Sequence, residues 1–310
     1  MRVVRHGSET APPAAIAIAI GSFDGVHLGH QAILARVVAE ARSRGLVPAV
    51  LTFEPLPREF FAPREAPARL TSLAERVVLL ANAGIETVFV ERFDARFAAL
   101  GADEFARRLA TRYGARWVMV GHDFRYGARR AGDGAHLREA GRREGFEVEV
   151  LDPVILGPDR ISSTRVREAL RRGDFDGAAR LLGRRYAICG RVVHGAKRGK
   201  ALGFPTANVR LARPKPAVQG IFAVKCHGAA TRGLEGVASL GINPAVRETG
   251  PATLEAFLFD FSGDLYGRRV SIEFVKKLRD EAHFASLDEL AAQIARDCDE
   301  ARALFAAGDR

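Results

Sequence analysis

Two histidines three residues apart, His27 and His30, stand in the string GSFDGVHLGHQ, residues 21–31. Imidazoles at that spacing suit three tasks: capping backbone amides at a helix start, ligating a metal, or gripping phosphate. Gly21 and Gly25 let backbone approach a ligand closely. The apolar periodicity after them predicts a helix from about Leu28, whose free N–H groups and positive dipole end attract anions. Zinc needs more ligands than two, and no third His or Cys lies at a plausible spacing. The reading adopted is phosphate handling, in which the pair offsets charge developing on phosphates in transition. Gly21, Phe23, Asp24 and Gly25 then form the nucleotide cradle. A second string, DRISSTRVREAL, carries Arg160, Ser163, Thr164 and Arg167. It is either a simple helix start capped by Ser163 or Thr164, or a second anion clamp. Asp123 in GHDFRYG either caps its loop or orients a ligand. The string GKALGFPTAN, residues 199–208, is a Gly-Pro turn or a ligand loop. Its upstream part, HGAKRGKA, fails as a phosphate-binding P-loop because Ala201 stands where Ser or Thr must meet magnesium.

These residues need elements to hold them. Apolar strand-like runs at 14–20, 46–53, 85–93, 115–124 and 146–154 alternate with segments of helical period at 28–45, 70–84, 101–114 and 134–145. Such alternation predicts a parallel sheet covered on both faces. Ligands of such sheets sit beyond the carboxyl ends of the strands, where GSFDG, TFEPLP and VGHDFRYG fall. From about residue 185 the pattern changes to short strands separated by Gly, Pro and polar turns. DFSGDLYG, residues 260–267, reads as a hairpin turn. A final helix opens with a capping box, Ser286 to Glu289, and carries the stripe Leu287, Leu290, Ile294, Cys298 and Ala301. The second half is therefore expected to be a β-barrel-like domain closed by one helix, with residues 169–183 as a helical bridge. The expected domains are 1–184 and 185–310.

Composition narrows the function classes. The chain has 310 residues, enough for two domains. Lys and Arg number 47 against 37 Asp and Glu, which favours anionic partners. The cations are scattered, with no basic run, and one Trp and four Tyr give little to stack bases on. A nucleic-acid partner is not expected. Three widely spaced cysteines fit free thiols in a reducing compartment. No signal peptide or membrane span is expected, so the location read from sequence is cytoplasmic, with no membrane partner; oligomeric state stays open.

HLGH after a strand resembles the H-x-G-H signature of the nucleotidylyltransferase superfamily, and ISSTRVR resembles its second motif. FPTAN resembles the P-T-A-N motif of riboflavin kinases. Together with TFEPLP, VGHDFRYG, FLFDFSGDLYG and FASLDELAAQI, the whole chain resembles the bacterial bifunctional riboflavin kinase/FAD synthetase family. The resemblance implies a Rossmann-like nucleotidylyltransferase α/β domain with a parallel sheet, followed by a riboflavin kinase-like β-barrel domain with a terminal helix. It implies phosphorylation of riboflavin to FMN by ATP, then adenylylation of FMN to FAD by a second ATP with release of pyrophosphate. It assigns Thr206 and Asn208 to a magnesium–nucleotide site, Glu255 as general base, and Lys200, Gly203 and Pro205 to the nucleotide. From strand alternation alone, the other reading of Glu255 is a solvent-facing strand residue. His27 and His30 become catalytic, and Mg2+ is expected at both sites. Leu56 stands where the family commonly has His, a departure that bears on adenylylation; Ala256-Phe257, where it often has Val-His, and Ala245, where Thr is usual, read as packing or peripheral loop positions. One reading left open is that only the kinase activity is retained; another is a basic nucleic-acid-binding protein.

Overall fold

The computed structural model describes residues 1–5, 15–195, 203–213, 215–228, 231–242 and 252–308. The chain divides into two compact units, Met1–Pro67 with Leu73–Ser162, and Ala68–Ser72 with Ser163–Arg310.

The first unit is built from β1 (Arg2–Arg5), β2 (Ile16–Ile20), α1 (Leu28–Arg44), β3 (Val47–Glu54), α2 (Pro57–Phe61), α3 (Leu73–Asn82), β4 (Thr87–Arg92), α4 (Ala95–Ala98), α5 (Ala102–Thr111), β5 (Ala115–Gly121), α6 (Gly134–Glu144), β6 (Glu147–Leu151), and a short antiparallel pair, β7 (Ile155–Leu156) with β8 (Asp159–Arg160). The main sheet has six parallel strands in the order β1-β4-β3-β2-β5-β6. Side-chain alternation sends Ile16, Ile18 and Ile20 to one face, where Phe105, Leu109 and Leu137 cover them. Ala17 and Ala19 go to the other, under Leu34, Val37 and Leu80. Both faces are thus dry, which is why the strands read as near-continuous apolar runs. Chain order runs outward from β2 through β3 and β4, then returns to β5 and β6. The switch point lies between β2 and β5, and the crevice beyond their carboxyl ends is where such sheets take ligands.

The second unit contains α7 (Ser163–Arg171), α8 (Phe175–Leu182), β9 (Ala187–Val193), β10 (Thr206–Arg210), β11 (Gly220–Gly228), β12 (Thr231–Ile242), β13 (Ala252–Leu258), β14 (Arg269–Arg279) and α9 (Leu287–Gly308). Its strands close into an antiparallel barrel in the order β10-β13-β12-β11-β14-β9. Leu254, Ala256 and Leu258 are buried on β13, while Glu255 and Phe257 between them are half-buried. α9 lays Cys298, Ala301 and Phe305 on an apolar patch made by Ile221, Ala223 and Val237.

Three expectations change. DFSGDLYG is a crossover and not a hairpin, because β13 pairs with β10 and β12 while β14 pairs with β9 and β11. Residues 169–183 do not merely bridge. Phe175 of α8 packs against Phe222 and Phe274 of the barrel, with ring centroids 5.8 and 6.1 Å apart. Leu287 leaves the expected stripe and is exposed, since it is the first residue of α9.

Residues 68–72, between α2 and α3 in sequence, belong to the barrel unit. Arg213, buried, donates from Nη1 to the Leu70 carbonyl at 2.7 Å and to the Tyr186 hydroxyl at 3.1 Å. Arg167 Nε donates to the Ala68 carbonyl at 2.6 Å, and the Arg69 amide to the Lys215 carbonyl at 3.0 Å.

Candidate active sites

The loop after β2 turns sharply before α1. Phe23 (φ 48°), Gly25 (φ 84°) and Val26 (φ 41°) all occupy left-handed backbone. For a β-branched valine that conformation is strained, and surrounding contacts must hold it. Phe23, Asp24 and Val26 are buried. The strain swings His27 into the N-cap position of α1, where its Nδ1 accepts the His30 amide at 3.3 Å. The two rings stack, with centroids 3.7 Å apart and planes 15° off parallel. Face-to-face stacking argues against shared ligation of one ion. In-plane lone pairs of two face-to-face imidazoles do not converge on one ion, and His27 Nδ1 is already engaged. Among the described residues, no group of three or more His, Cys, Asp or Glu could hold a metal. Capping is real for His27, and it leaves His30 Nδ1 buried without a partner.

Of a protonated and a hydrogen-bonding imidazole, the surroundings favour the hydrogen-bonding form for His30. Burial, then the nearby His27 and Arg76 charges, hold its pKa well below the usual 6.5. His30 is therefore a neutral imidazole near neutral pH, and an arriving anion would favour its protonation. Linkage fixes the sign for stability. Below pH 6.5 the unfolded chain takes up a proton that folded His30 refuses, so stability falls as pH falls through that value. We predict that His30→Gln reduces the acid sensitivity of unfolding below pH 6.5, by up to about 1.4 kcal/mol per pH unit for one proton. Urea midpoints of both proteins across pH 5–7 check this, and equal slopes would refute it.

Gly29, between the histidines, has a steric reason. A Cβ there would stand 3.2 Å from the His27 ring and 3.6 Å from the Ile161 carbonyl oxygen. The start of ISSTRVR thus lies beside HLGH within the first unit. Ser163 and Thr164 open α7, with Thr164 exposed, and this helix packs in the second unit. Arg167 is turned to the Ala68 carbonyl, and Arg160 pairs with Asp123 at 3.0 Å on an exposed edge. Such a surface pair contributes about 0–1 kcal/mol and opens readily for a stronger anion. Leu56 is buried and caps α2, its amide donating to Glu59 Oε2 at 2.9 Å.

In the barrel, Thr206 and Asn208 lie on one face of β10, with Asn208 directly opposite Glu255 of β13. Thr206 Oγ1 donates to Glu255 Oε2 at 3.2 Å. Gly203 (φ 85°) and Pro205 turn the chain into the strand. The sequence reading missed β10 itself, leaving GKALGFPTAN as a Gly-Pro turn or a ligand loop. Lys200 and Ala245 lie outside the described residues. Two cavities meet at Thr206. One, of about 590 Å³, is lined by Glu255, Phe257, Phe284, Leu290 and Ile294 among others. The other, of about 380 Å³, is lined by Ala207, Ala256, Leu258, Phe261 and Tyr266 among others. The ring of His194 lies 4.0 Å from that of Tyr266. Alternation along β13 separates them: Glu255 and Phe257 border the larger cavity, and Ala256 and Leu258 the smaller.

The larger cavity is walled by a buried ion pair that sequence reading also missed. Arg279 at the end of β14 makes two bonds to Asp297 of α9, at 2.8 and 2.7 Å, and Gln293 Nε2 adds a third at 2.9 Å. Asp297→Ala would leave the half-buried guanidinium with the Asp280 carbonyl in place of a carboxylate, so we predict a loss of about 1–3 kcal/mol. It would appear as a lower urea midpoint, and an unchanged midpoint would refute it.

The FAD synthetase family model matches residues 9–165, and the riboflavin kinase family model residues 182–305. The chain is 45% identical over 308 residues to the bifunctional riboflavin kinase/FMN adenylyltransferase of Escherichia coli strain K12, covering 98% of each. It is 46% identical over 288 residues to the protein of the same description from Pseudomonas fluorescens, covering 93% of this chain and 92% of that one. A crystal structure described as a macrolide-efflux protein from Streptococcus pneumoniae aligns with a TM-score of 0.78 at 30% identity, covering 96% of this chain and 97% of that one. No helix among the described residues is long and apolar enough to cross a membrane. With both family models matched in order and relatives of one description aligned nearly end to end, the chain belongs to the bifunctional riboflavin kinase/FMN adenylyltransferase family.

Proposed function

We propose that the chain performs the two reactions its family is named for, the barrel making FMN and the parallel-sheet unit converting FMN to FAD. The observation that carries the first step is the meeting of two cavities at Thr206, beside Glu255. The larger, aromatic- and leucine-lined cavity suits the flat isoalloxazine ring of riboflavin. The smaller, with Tyr266 and His194 at its side, suits adenine. The ribityl 5′-hydroxyl then reaches Glu255 from one side as the ATP γ-phosphate arrives from the other. Glu255 accepts the hydroxyl proton, the new O–P bond forms, and ADP leaves. The side-chain oxygens of Thr206 and Asn208, on one face of β10, fit a hard cation such as Mg2+. When bound, that ion would screen the triphosphate charge. Thr206 would also hold Glu255 in place through their hydrogen bond.

In the first unit, an FMN phosphate oxygen attacks the ATP α-phosphorus. The bond to the β-phosphate breaks, and pyrophosphate leaves. The nucleophile is already anionic, so alignment and charge stabilisation carry the rate. The amides at the start of α1, with His27 and His30, face that charge, and Arg160 contributes from the second motif. Rings of Phe53, Phe93 and Phe61, 5.5–5.6 Å apart in sequence of contact, offer the flavin an aromatic surface. Phe61 is 66% exposed, which is costly for a phenyl ring unless something covers it. Free cysteines, two of them buried, are consistent with a cytoplasmic location.

The test supplies riboflavin with Mg-ATP, and separately FMN with Mg-ATP, and follows products chromatographically. FMN and then FAD are expected from the first mixture and FAD from the second. FMN without FAD would leave a kinase alone.

A further inference from the structure

The least expected group in the first unit is Arg76. It sits in α3 with no exposed surface. Its Nη1 donates to the Ser22 carbonyl at 2.6 Å and to Thr52 Oγ1 at 3.2 Å, while Nη2 meets Glu54 Oε2 at 3.1 Å. Thr52 in turn donates to the same Ser22 carbonyl at 3.3 Å. Burying a guanidinium is expensive, and a hydrophobic residue of similar volume often serves stability as well or better. A helix that otherwise offers Leu73, Val77 and Leu80 to the core has no packing need for an arginine here.

Its bonds show what it does instead. Ser22 immediately precedes Phe23, the first of the residues in left-handed backbone. Backbone of that kind persists only where neighbours over-determine it. A charge-assisted bond of 2.6 Å on the Ser22 carbonyl supplies such a constraint. The same guanidinium reaches Glu54 at the end of β3, so it ties the loop to the carboxyl edge of the sheet. We propose that Arg76 is a positioning residue for adenylyl transfer, clamping the loop that aims His27 and His30 and fixing a buried positive charge beneath the phosphate cradle. This rests on the reading that residues 21–30 receive the triphosphate.

The electrostatic consequence is separately visible. The charged neighbours acting on His30 are His27 and Arg76, and Arg76 disfavours a second cation beside it. Its own charge stays in place at every working pH, because arginine does not deprotonate. The cradle therefore keeps a permanent cation below it while the imidazole remains free to accept a proton once phosphate is present.

The test uses the full chain with Arg76→Met, Arg76→Lys and His30→Gln. Riboflavin phosphorylation, read on the same preparation, reports that the chain is folded. Arg76→Met is expected to lower kcat for FAD formation about 10²-fold, with a smaller change in KM for ATP, and to leave the kinase rate unchanged. Arg76→Lys keeps the charge but cannot bond Ser22 and Glu54 in the same fork geometry; about a tenfold loss is expected. In ligand-free protein, nitrogen-detected NMR should show the His30 titration moving upward toward 6.5 in Arg76→Met, since a like charge has gone. Arg76→Met at full kcat, with His30→Gln inactive, would overturn the role of Arg76 alone. His30→Gln at full kcat would overturn the reading of the site beneath it. Should Arg76→Met lose the kinase as well, Arg76→Lys decides: wild-type kcat in that variant overturns the proposal.

Discussion

Glu255→Gln is expected to lower riboflavin phosphorylation about 10²–10⁴-fold, the range seen when a positioned general base is removed. FAD formation from supplied FMN should be unchanged. Glutamine keeps the volume and can still accept the Thr206 hydroxyl bond, so the wall of the larger cavity stands. What is lost is the capacity to take the proton from the ribityl hydroxyl. The alternative, a merely solvent-facing strand residue, predicts no loss in either reaction. Its position opposite Asn208 on the neighbouring strand, and its bond to Thr206 at the junction of two cavities, argue against that alternative. Separate assays of the two half-reactions on one preparation decide. A mutant that loses both in well-folded protein would refute the division between units.

His27→Asn tests the other half. Asparagine is among the best N-cap residues, so the start of α1 should hold. Removal of the imidazole should still reduce FAD formation, by about 10²-fold if His27 contacts charge that develops in the transition state. The kinase rate serves as the internal control. The variant separates the two tasks that sequence alone left together. If capping were the whole function of His27, His27→Asn would make FAD at the normal rate. His27→Ala cannot separate them, because it removes cap and imidazole at once.

Much of the framework was legible because periodicity reports burial. Buried parallel strands such as Ile16–Ile20 have no polar face to confuse the pattern, and Gly45 and Gly145 end α1 and α6 with positive φ, as glycine after a helix commonly does. The illegible parts share a cause: their partners are distant in sequence. β1, RVVR, is mostly exposed and becomes a strand only by pairing with β4. β10 is five residues bounded by Gly and Pro, and its ladder comes from β9 and β13. The crossover at DFSGDLYG is fixed by closure of the barrel, which no local signal announces. In the sites, the histidines were visible as a spacing. Arg76 was not, since an arginine in a helix reads as solvated until the sheet edge it bonds is known.

Residues 68–72 bear on how this polypeptide can be divided. A gene broken after codon 162 would leave on the upstream product five residues that pack in the downstream one. The orphaned fragment would forfeit the Leu70 carbonyl that Arg213 bonds, deep in its interior, and the Ala68 carbonyl that Arg167 bonds. No single scission yields two intact products, because the backbone passes from one body to the other three times. Fission of the locus, or release of either half by limited proteolysis, is thereby penalised by architecture alone, which keeps the two chemistries inherited together.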